Sequence, residues 1–188
     1  MSEHWKKYHQ NTKDREPSKL LLEALQYVRN KDQALDLGAG ALVESKLLLA
    51  EDFNEVTAVD VVPLENLDDT RFHFVESSFE DFSFPTNTFD IVNANLSLPF
   101  SKPEHFNEVW EKMKSSMVNE GVFSGQLFGV KDEWNKEDSE MTFHTRAQVE
   151  SLLQGFKVKK LKEVEKEATL VSGGEKFWHI FAIIAVKE

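Results

Sequence analysis

Cysteine is missing from all 188 residues of the sequence. Its absence excludes disulfide bonds, thiolate metal sites and a cysteine nucleophile, and it is typical of proteins of the reducing cytoplasm. Long apolar runs are missing as well, since none reaches the roughly 18–20 residues of a membrane-spanning helix. The polar N-terminus lacks the apolar core of a signal peptide. We therefore expect a cytoplasmic protein with no membrane segment.

Basic residues are few, with 22 Lys and Arg against 33 Asp and Glu and a net charge of −11. This charge repels phosphate backbones, so nucleic acid is not an expected partner. The densest basic run, residues 157–162, alternates with apolar positions and fits the solvent face of a strand. The hydrophobic content of 40%, with 15 Phe and 4 Trp, predicts a globular chain with one domain over residues 1–188.

The chain is organised around a stretch at residues 34–40 that reads A-L-D-L-G-A-G. Its apolar first half predicts a buried strand, and Gly38 and Gly40 allow a tight turn that a ligand can approach closely. Residues 42–51 follow with the apolar spacing of a helix. A strand, a glycine turn and a helix begin a nucleotide-binding βαβ unit. Asp60 would end the second strand, where a carboxylate can accept hydrogen bonds from ribose hydroxyls.

Two classes of cofactor fit this stretch in part. The dinucleotide fingerprint G-x-G-x-x-G needs a third glycine where this chain has Val43, which disfavours an NAD-dependent oxidoreductase. A loop for S-adenosylmethionine reads D-x-G-x-G-x-G. Asp36, Gly38 and Gly40 match that loop, and Leu42 replaces its last glycine. A tight turn that binds no ligand is the third interpretation, and the acidic end of the second strand argues against it.

Strand and helix patterns alternate along the rest of the chain, which predicts an α/β fold. The predicted strands are 34–37, 55–60, 72–75, 89–95, 122–128, 156–169 and 177–186, and the main predicted helices are 18–28, 42–51, 104–117 and 145–153. A short helix or turn is predicted from Pro63 to near Asp69. Residues 172–175 predict a hairpin turn, so the last two strands run antiparallel. The expected sheet therefore has seven strands and is mostly parallel, with an antiparallel C-terminal hairpin strand.

The N-terminal residues 2–12 are polar apart from Trp5 and Tyr8, whose spacing places both rings on one side of a helix. This helix either packs on the body of the protein through its rings or forms a mobile lid over an active site. Arg15 is either a surface charge or a clamp for a ligand carboxylate, a role that its planar guanidinium suits. Residues 1–17 are therefore a candidate lid or cap segment.

Three segments together resemble the Rossmann-like, class I S-adenosylmethionine-dependent methyltransferases: A-L-D-L-G-A-G, V-T-A-V-D and S-F-E-D-F-S-F-P-T-N-T-F-D-I-V. Shorter motifs, W-x-x-Y, R-x-P-S, G-Q-L-F-G and M-T-F-H-T, are similar to the small-molecule branch with the tellurite-resistance and thiopurine-type enzymes. The resemblance covers nearly the whole chain and implies a three-layer Rossmann-like sandwich. It also implies S-adenosylmethionine as cofactor, S-adenosylhomocysteine as product, a small-molecule acceptor, and a monomer or homodimer.

By position, the resemblance implies that Asp36 braces the glycine loop and that Asp60 holds the ribose hydroxyls. The other implied cofactor-binding residues are the loop residues Gly38, Ala39 and Gly40, with Val61 against the adenine, Ser78 and Phe79 near its amino group, and Asn95 with Leu96 at the sulfonium end. The family often has an acidic residue at the position of Ser78. The replacements at Leu42 and Ser78 allow either an altered cofactor affinity or a catalytically silent cofactor-binding protein.

The acceptor pocket is predicted from aromatic residues and from strand ends: Trp5, Tyr8, Leu96, Phe128, Trp134 and His144. Methyl transfer is an in-line displacement from a sulfonium that already leaves easily. Alignment of the reactants can supply on the order of 7–11 kcal/mol, and a base is needed only when the acceptor must lose a proton. His144 is the candidate base, or else a histidine that only hydrogen-bonds at a helix start, and Asn95 is the second catalytic candidate. No group of residues has metal-ligand spacing, so no metal is predicted.

Overall fold

The computed structural model describes residues 2–63, 67–170 and 173–188 and shows one sheet packed between helices. The strands are β1 Gln33–Leu37, β2 Glu55–Asp60, β3 Phe72–Glu76, β4 Phe89–Ala94, β5 Met117–Gly129, β6 Phe143–His144, β7 Phe156–Thr169 and β8 Glu175–Lys187. The helices are α1 Ser2–Thr12, α2 Lys19–Ala24, α3 Val43–Ala50, α4 Pro103–Ser116 and α5 Arg146–Leu152, with short 3-10 helices at Leu25–Tyr27 and Leu98–Phe100.

The strand order across the sheet is β3-β2-β1-β4-β5-β8-β7, and the two-residue β6 pairs with β5. All pairs among β1 to β6 are parallel, whereas β8 runs antiparallel to both of its neighbours, β5 and β7. The predicted seven-stranded, mostly parallel sheet with a reversed C-terminal strand is therefore confirmed. The order reverses between β1 and β4, and open α/β sheets bind ligands in the crevice at the carboxyl ends of such strands.

Helices cover both faces of the sheet, which confirms the three-layer sandwich. On one face α4 and α5 pack through Trp110, Met113 and Val149, all fully buried. On the other face α2 and α3 contribute Leu21 and Leu48, which are fully buried as well. Strands covered on both faces need continuous apolar sequence, and all six residues of β4 are buried.

Local sequence features explain where several of the helices and strands begin. Proline occupies the first position of α4, where its missing N–H costs nothing. A capping box between Thr145 and Gln148 opens α5, as the sequence predicts. β5 begins at Met117, five residues before the predicted start, because the chain enters the strand directly from α4.

Two predictions lie partly outside the described residues: the short helix or turn after Pro63, which includes residues 64–66, and the hairpin turn at Ser172. Across the described ranges, no helix is both long enough and apolar enough to cross a membrane.

Candidate active site

The glycine loop leaves β1 at Leu37 and lies against the end of β2. The backbone N–H groups of Gly38 and Ala39 both donate to the carbonyl of Val59, at 2.8 and 3.1 Å. Gly38 has a φ of +72°, and a Cβ added to it would lie 2.3 Å from the Cβ of Ser97. Only glycine allows this contact, because both the backbone angle and the space exclude a side chain. The loop is thus fixed at the junction of β1, β2 and the residues after β4.

Leu42 replaces the last glycine of the cofactor loop but keeps a glycine-like backbone. Its φ is +62°, in the left-handed region, and its side chain is 6% exposed. A left-handed leucine costs roughly 1–2 kcal/mol, which burial of its side chain offsets. The replacement therefore preserves the path of the loop into α3.

Asp60 ends β2 beside the loop, as the sequence predicts. Its Oδ2 accepts the Gly40 N–H at 2.9 Å, and its Oδ1 accepts the Val62 N–H at 2.9 Å. The carboxylate is 7% exposed, whereas the next side chain, Val61, is 53% exposed. The end of β2 therefore presents the fixed carboxylate of Asp60 next to the exposed apolar side chain of Val61. We call the edge of the sheet formed by the carboxyl ends of its parallel strands the rim.

Asp36 lies below the loop, in the middle of β1 between β2 and β4. It accepts hydrogen bonds from Ser45 at 2.6 Å and from Asn93 at 2.8 Å. Burial, together with the nearby carboxylate of Glu44, raises its pKa to about 7. Asp36 thus links the loop's strand to α3 and β4, which fits a bracing role.

A second buried carboxylate, Glu44, lies in the first turn of α3 and was not identified from the sequence. It is 2% exposed and binds the guanidinium of Arg15 through both of its oxygens. The Ser18 N–H donates to it at 3.1 Å, and the Asn95 amide approaches it at 3.4 Å. Arg15 therefore clamps a carboxylate of the chain itself, and its predicted role toward a ligand carboxylate stays a prediction.

Helix α1 lies across this rim. His9, to which the sequence assigns no role, is 9% exposed, and its ring lies 3.7 Å from the position of a Cβ on Gly40. The Trp5 ring contacts the Phe100 ring edge-to-face at 4.8 Å between centroids. Tyr8 lies 5.8 Å from Trp5, and burial raises the pKa of its phenol. The N-terminal helix is thus placed where a cap would be, over the glycine loop.

Three of the six predicted acceptor residues, Trp5, Phe128 and Trp134, lie in one aromatic cluster. Phe100 joins Trp5 to Phe128 at 5.8 Å and to Trp134 at 6.3 Å between ring centroids. Leu96, which has a φ of +53°, donates its N–H to Gln126 and leads from β4 into this cluster. Phe128 is 1% exposed and lies beneath the half-buried ring of Trp134.

A buried lysine, which the sequence analysis did not identify, completes this cluster. Lys176 is 2% exposed and pairs with Asp132 at 2.6 Å. Its ammonium lies 3.5 Å from the ring centroid of Trp178 and 3.9 Å from that of Trp134, within cation–π range. Burial lowers the lysine pKa, and Asp132 opposes that effect. This ion pair fastens the loop after β5 to the start of β8.

The remaining predicted residues lie near the rim but outside these contacts. His144 is in β6, with its ring 4.6 Å from that of Phe106, and burial lowers its pKa to about 4. The Ser78 hydroxyl donates to Asp81 at 2.8 Å. The Phe79 ring reaches to 3.5 Å from the position of a Cβ on Gly38.

One group has the spacing of a metal site: Glu163, Glu165 and His179, whose ligand atoms lie within 4.8 Å of one another. However, Nδ1 of His179 accepts the Lys131 N–H at 3.0 Å, so a neutral ring carries its proton on Nε2, which faces Glu163 at 2.9 Å. A metal-bound histidine normally has the opposite arrangement and donates its second N–H to a carbonyl or a carboxylate. The geometry fits a buried, hydrogen-bonded histidine better than a metal ligand.

Residues 35–124 match a family described as a methyltransferase domain. This part of the chain, 90 of its 188 residues, is therefore similar to a methyltransferase domain. The matched region holds the glycine loop, Glu44, Asp60 and Asn95. No curated protein matches the sequence.

Solved structures share the fold of this chain at low sequence identity. A chain of the complex between the Haloferax volcanii Trm112 methyltransferase activator and a protein assigned as a methyltransferase has a TM-score of 0.74 at 16% identity, over 98% of this chain and 95% of that one. TehB from Haemophilus influenzae has a TM-score of 0.68 at 13% identity, and the match covers 90% of this chain and 61% of TehB. The 1,6-didemethyltoxoflavin-N1-methyltransferase of Burkholderia thailandensis, solved with 1,6-didemethyltoxoflavin and S-adenosylhomocysteine, has a TM-score of 0.63 at 17% identity, over 90% and 78%.

Proposed function

We propose that this chain is an S-adenosylmethionine-dependent methyltransferase that moves the methyl group to a small-molecule acceptor by in-line displacement. The observation that carries the proposal is the pairing of the glycine loop with Asp60 at the point where the strand order reverses. Each oxygen of Asp60 accepts one described backbone hydrogen bond. A carboxylate has about four acceptor positions, so capacity for two ribose hydroxyls remains.

The residues around Asp60 fit the rest of the cofactor. The loop from Gly38 to Gly40 has no Cβ at its two glycines, so its backbone can approach the methionine part. Val61 is half exposed, and an adenine ring would cover it. Ser78 is hydrogen-bonded to Asp81, and this pair supplies an acceptor for the adenine amino group where the family often has an acidic residue.

The cofactor supplies a methyl group on a positively charged sulfur. The chain contributes alignment of the acceptor and exclusion of water, for which α1 is the cap and residues 1–17 the cap segment. Asn95 and Glu44 lie at the end of β4 and the start of α3, where the sulfonium end is expected. Glu44 already pairs with Arg15, so the aromatic faces of Trp5 and Tyr8 are the groups that suit the cationic sulfur.

The acceptor is proposed to lie on the cluster formed by Trp5, Phe100, Phe128 and Trp134. His144 is neutral at pH 7, since burial lowers its pKa to about 4, and it is a weak base. This low basicity favours acceptors that are already nucleophilic, such as thiolates or other soft anions, over acceptors that must first lose a proton.

The test of the proposal is cofactor binding by titration calorimetry, with Asp60→Ala and a matched control. Loss of a charge-assisted hydrogen bond to ribose costs about 1.5–3 kcal/mol, so affinity for S-adenosylhomocysteine should fall about 10- to 100-fold. Asp90 is the control, because it is equally buried and accepts two backbone N–H groups, from Asp32 and Gln33, at the opposite edge of the sheet. Asp90→Ala should leave the affinity unchanged. No binding by the unmodified protein at millimolar ligand would refute the proposal.

Turnover separates an enzyme from a silent cofactor-binding protein. The unmodified protein should form S-adenosylhomocysteine from S-adenosylmethionine with at least one member of a panel of thiol, selenide, amine and phenol acceptors. Binding without turnover across that panel would instead support the silent alternative that the replacements at Leu42 and Ser78 suggested.

A further inference from the structure

His9 occupies a position in the candidate site that the fold alone does not require. It comes from α1, nine residues from the start of the chain, yet its side chain reaches the bottom of the rim. Its ring lies 3.7 Å from the position of a Cβ on Gly40, and its Nε2 lies 3.9 Å from Oδ2 of Asp60. The side chain therefore lies beside both the glycine loop and the carboxylate that is proposed to hold the ribose.

The hydrogen-bonding capacity of His9 is unused within the described residues. Its buried Nδ1 has no hydrogen-bond partner there. Its Nε2 is too far from Asp60 for a direct bond, since 3.9 Å exceeds the distance of an ordinary hydrogen bond. Burial lowers the pKa of the ring, although the Asp60 carboxylate opposes this effect. A neutral imidazole offers one N–H donor and one acceptor, and buried polar atoms of this kind normally have partners.

We propose that His9 is a cofactor-binding residue that, together with Asp60, holds one ribose hydroxyl of S-adenosylmethionine. This inference rests on the proposed function. The hydroxyl donates to Asp60 and accepts from the ring N–H of His9. Through this bond the cofactor links α1 to the end of β2.

The distances allow such a bridge. An oxygen placed about 2.8 Å from both Nε2 and Oδ2 would make an angle of about 88° between them at the present separation. A movement of roughly 0.7 Å of His9 away from Asp60 opens this angle to a tetrahedral value while both bonds keep about 2.8 Å. A shift of this size is within reach of a helix that contacts the body mainly through side chains.

The alternative is that His9 only fills space under α1. A phenylalanine would then serve as well, because it has a similar shape and no polar atom. The contact of Trp5 with Phe100 anchors α1 independently of His9. When His9 is substituted, α1 therefore stays attached to the body of the protein through the contact of Trp5 with Phe100.

The experiment measures the affinity for S-adenosylhomocysteine of the unmodified protein, His9→Phe, His9→Gln and a control, Gln10→Ala, on the exposed neighbour in α1. Loss of a neutral hydrogen bond predicts an affinity about 3- to 10-fold weaker for His9→Phe. His9→Gln, whose amide can reach the position of Nε2, should recover at least part of this loss. Gln10→Ala should match the unmodified protein, and melting curves establish that each variant is folded.

Ligands that lack one ribose hydroxyl identify the bond. The 2′-deoxy or the 3′-deoxy analogue of S-adenosylhomocysteine should bind the unmodified protein and His9→Phe with equal affinity, because the bridging group is already absent. Equal affinity of His9→Phe and the unmodified protein for the complete ligand would overturn the inference, as would an equal loss with all three ligands. If the unmodified protein binds no S-adenosylhomocysteine, the proposed function fails instead.

Discussion

The buried carboxyl of Asp36 makes the stability of this protein depend on pH in a way that one substitution can reveal. Its pKa is raised from an ordinary value of 3.8 to about 7 by burial and by Glu44. The folded chain therefore holds the proton more tightly than the unfolded chain does. Stability from this proton is fully present below about pH 4 and is lost as the pH rises through about 7. With about 1.4 kcal/mol per pKa unit, the loss between pH 5 and pH 8 is about 2–3 kcal/mol.

Asp36→Asn removes this titration and keeps the shape of the side chain. Its amide can accept from Asn93 and donate to the Ser45 hydroxyl, so the local contacts survive. Urea unfolding at pH 5 and pH 8 should show that the variant gains about 2–3 kcal/mol relative to the unmodified protein as the pH rises. A constant difference between the two proteins from pH 5 to pH 8 would show that Asp36 is not held as the structure implies.

Two further predictions follow from the loop and from the aromatic cluster. Gly38→Ala should destabilise by about 2–5 kcal/mol, the sum of the left-handed backbone and the loss of the hydrogen bond that the Ser97 hydroxyl donates to the Leu37 carbonyl. Gly174→Ala, with a φ of +87° and no atom within 4 Å of its added Cβ, should cost only the backbone part of about 1–2 kcal/mol. Equal costs in urea unfolding would contradict the close packing of the loop. Lys176→Met should destabilise by about 3–5 kcal/mol because it leaves Asp132 buried without its cation, and the double change Lys176→Met with Asp132→Leu should recover part of this loss. A single variant as stable as the unmodified protein would show that the pair contributes nothing.

The sequence predicted those site residues that come at strand ends. Asp36, Gly38 and Asp60 lie on β1, the loop and β2, and in a parallel sheet successive carboxyl ends meet at one edge. Their proximity therefore follows from the βαβ pattern alone. The two-residue β6 could not be predicted, because a strand that short has no periodicity and depends on β5 for its pairing.

Glu44 and His9 were missed for a shared physical reason. Both are polar residues in helices, where the pattern of apolar spacing assigns polar positions to solvent. Glu44 is buried because Arg15 brings a charge to it from another segment. His9 is buried because α1 lies on the rim, a contact between distant parts of the chain. The same holds for Lys176, which reads as an ordinary charge beside a hairpin turn until the rings of Trp134 and Trp178 surround it.

The position of α1 has a kinetic consequence. In the proposed binding mode, a nucleoside between Asp60 and the ring of His9 would lie beneath this helix, and the helix would have to move aside before the ligand could enter or leave. In stopped-flow mixing, the observed rate would then rise with ligand concentration only to a plateau set by the opening of the helix. Product departure would share that same step, so substitutions in α1 would change the rate of turnover without changing the methyl-transfer step.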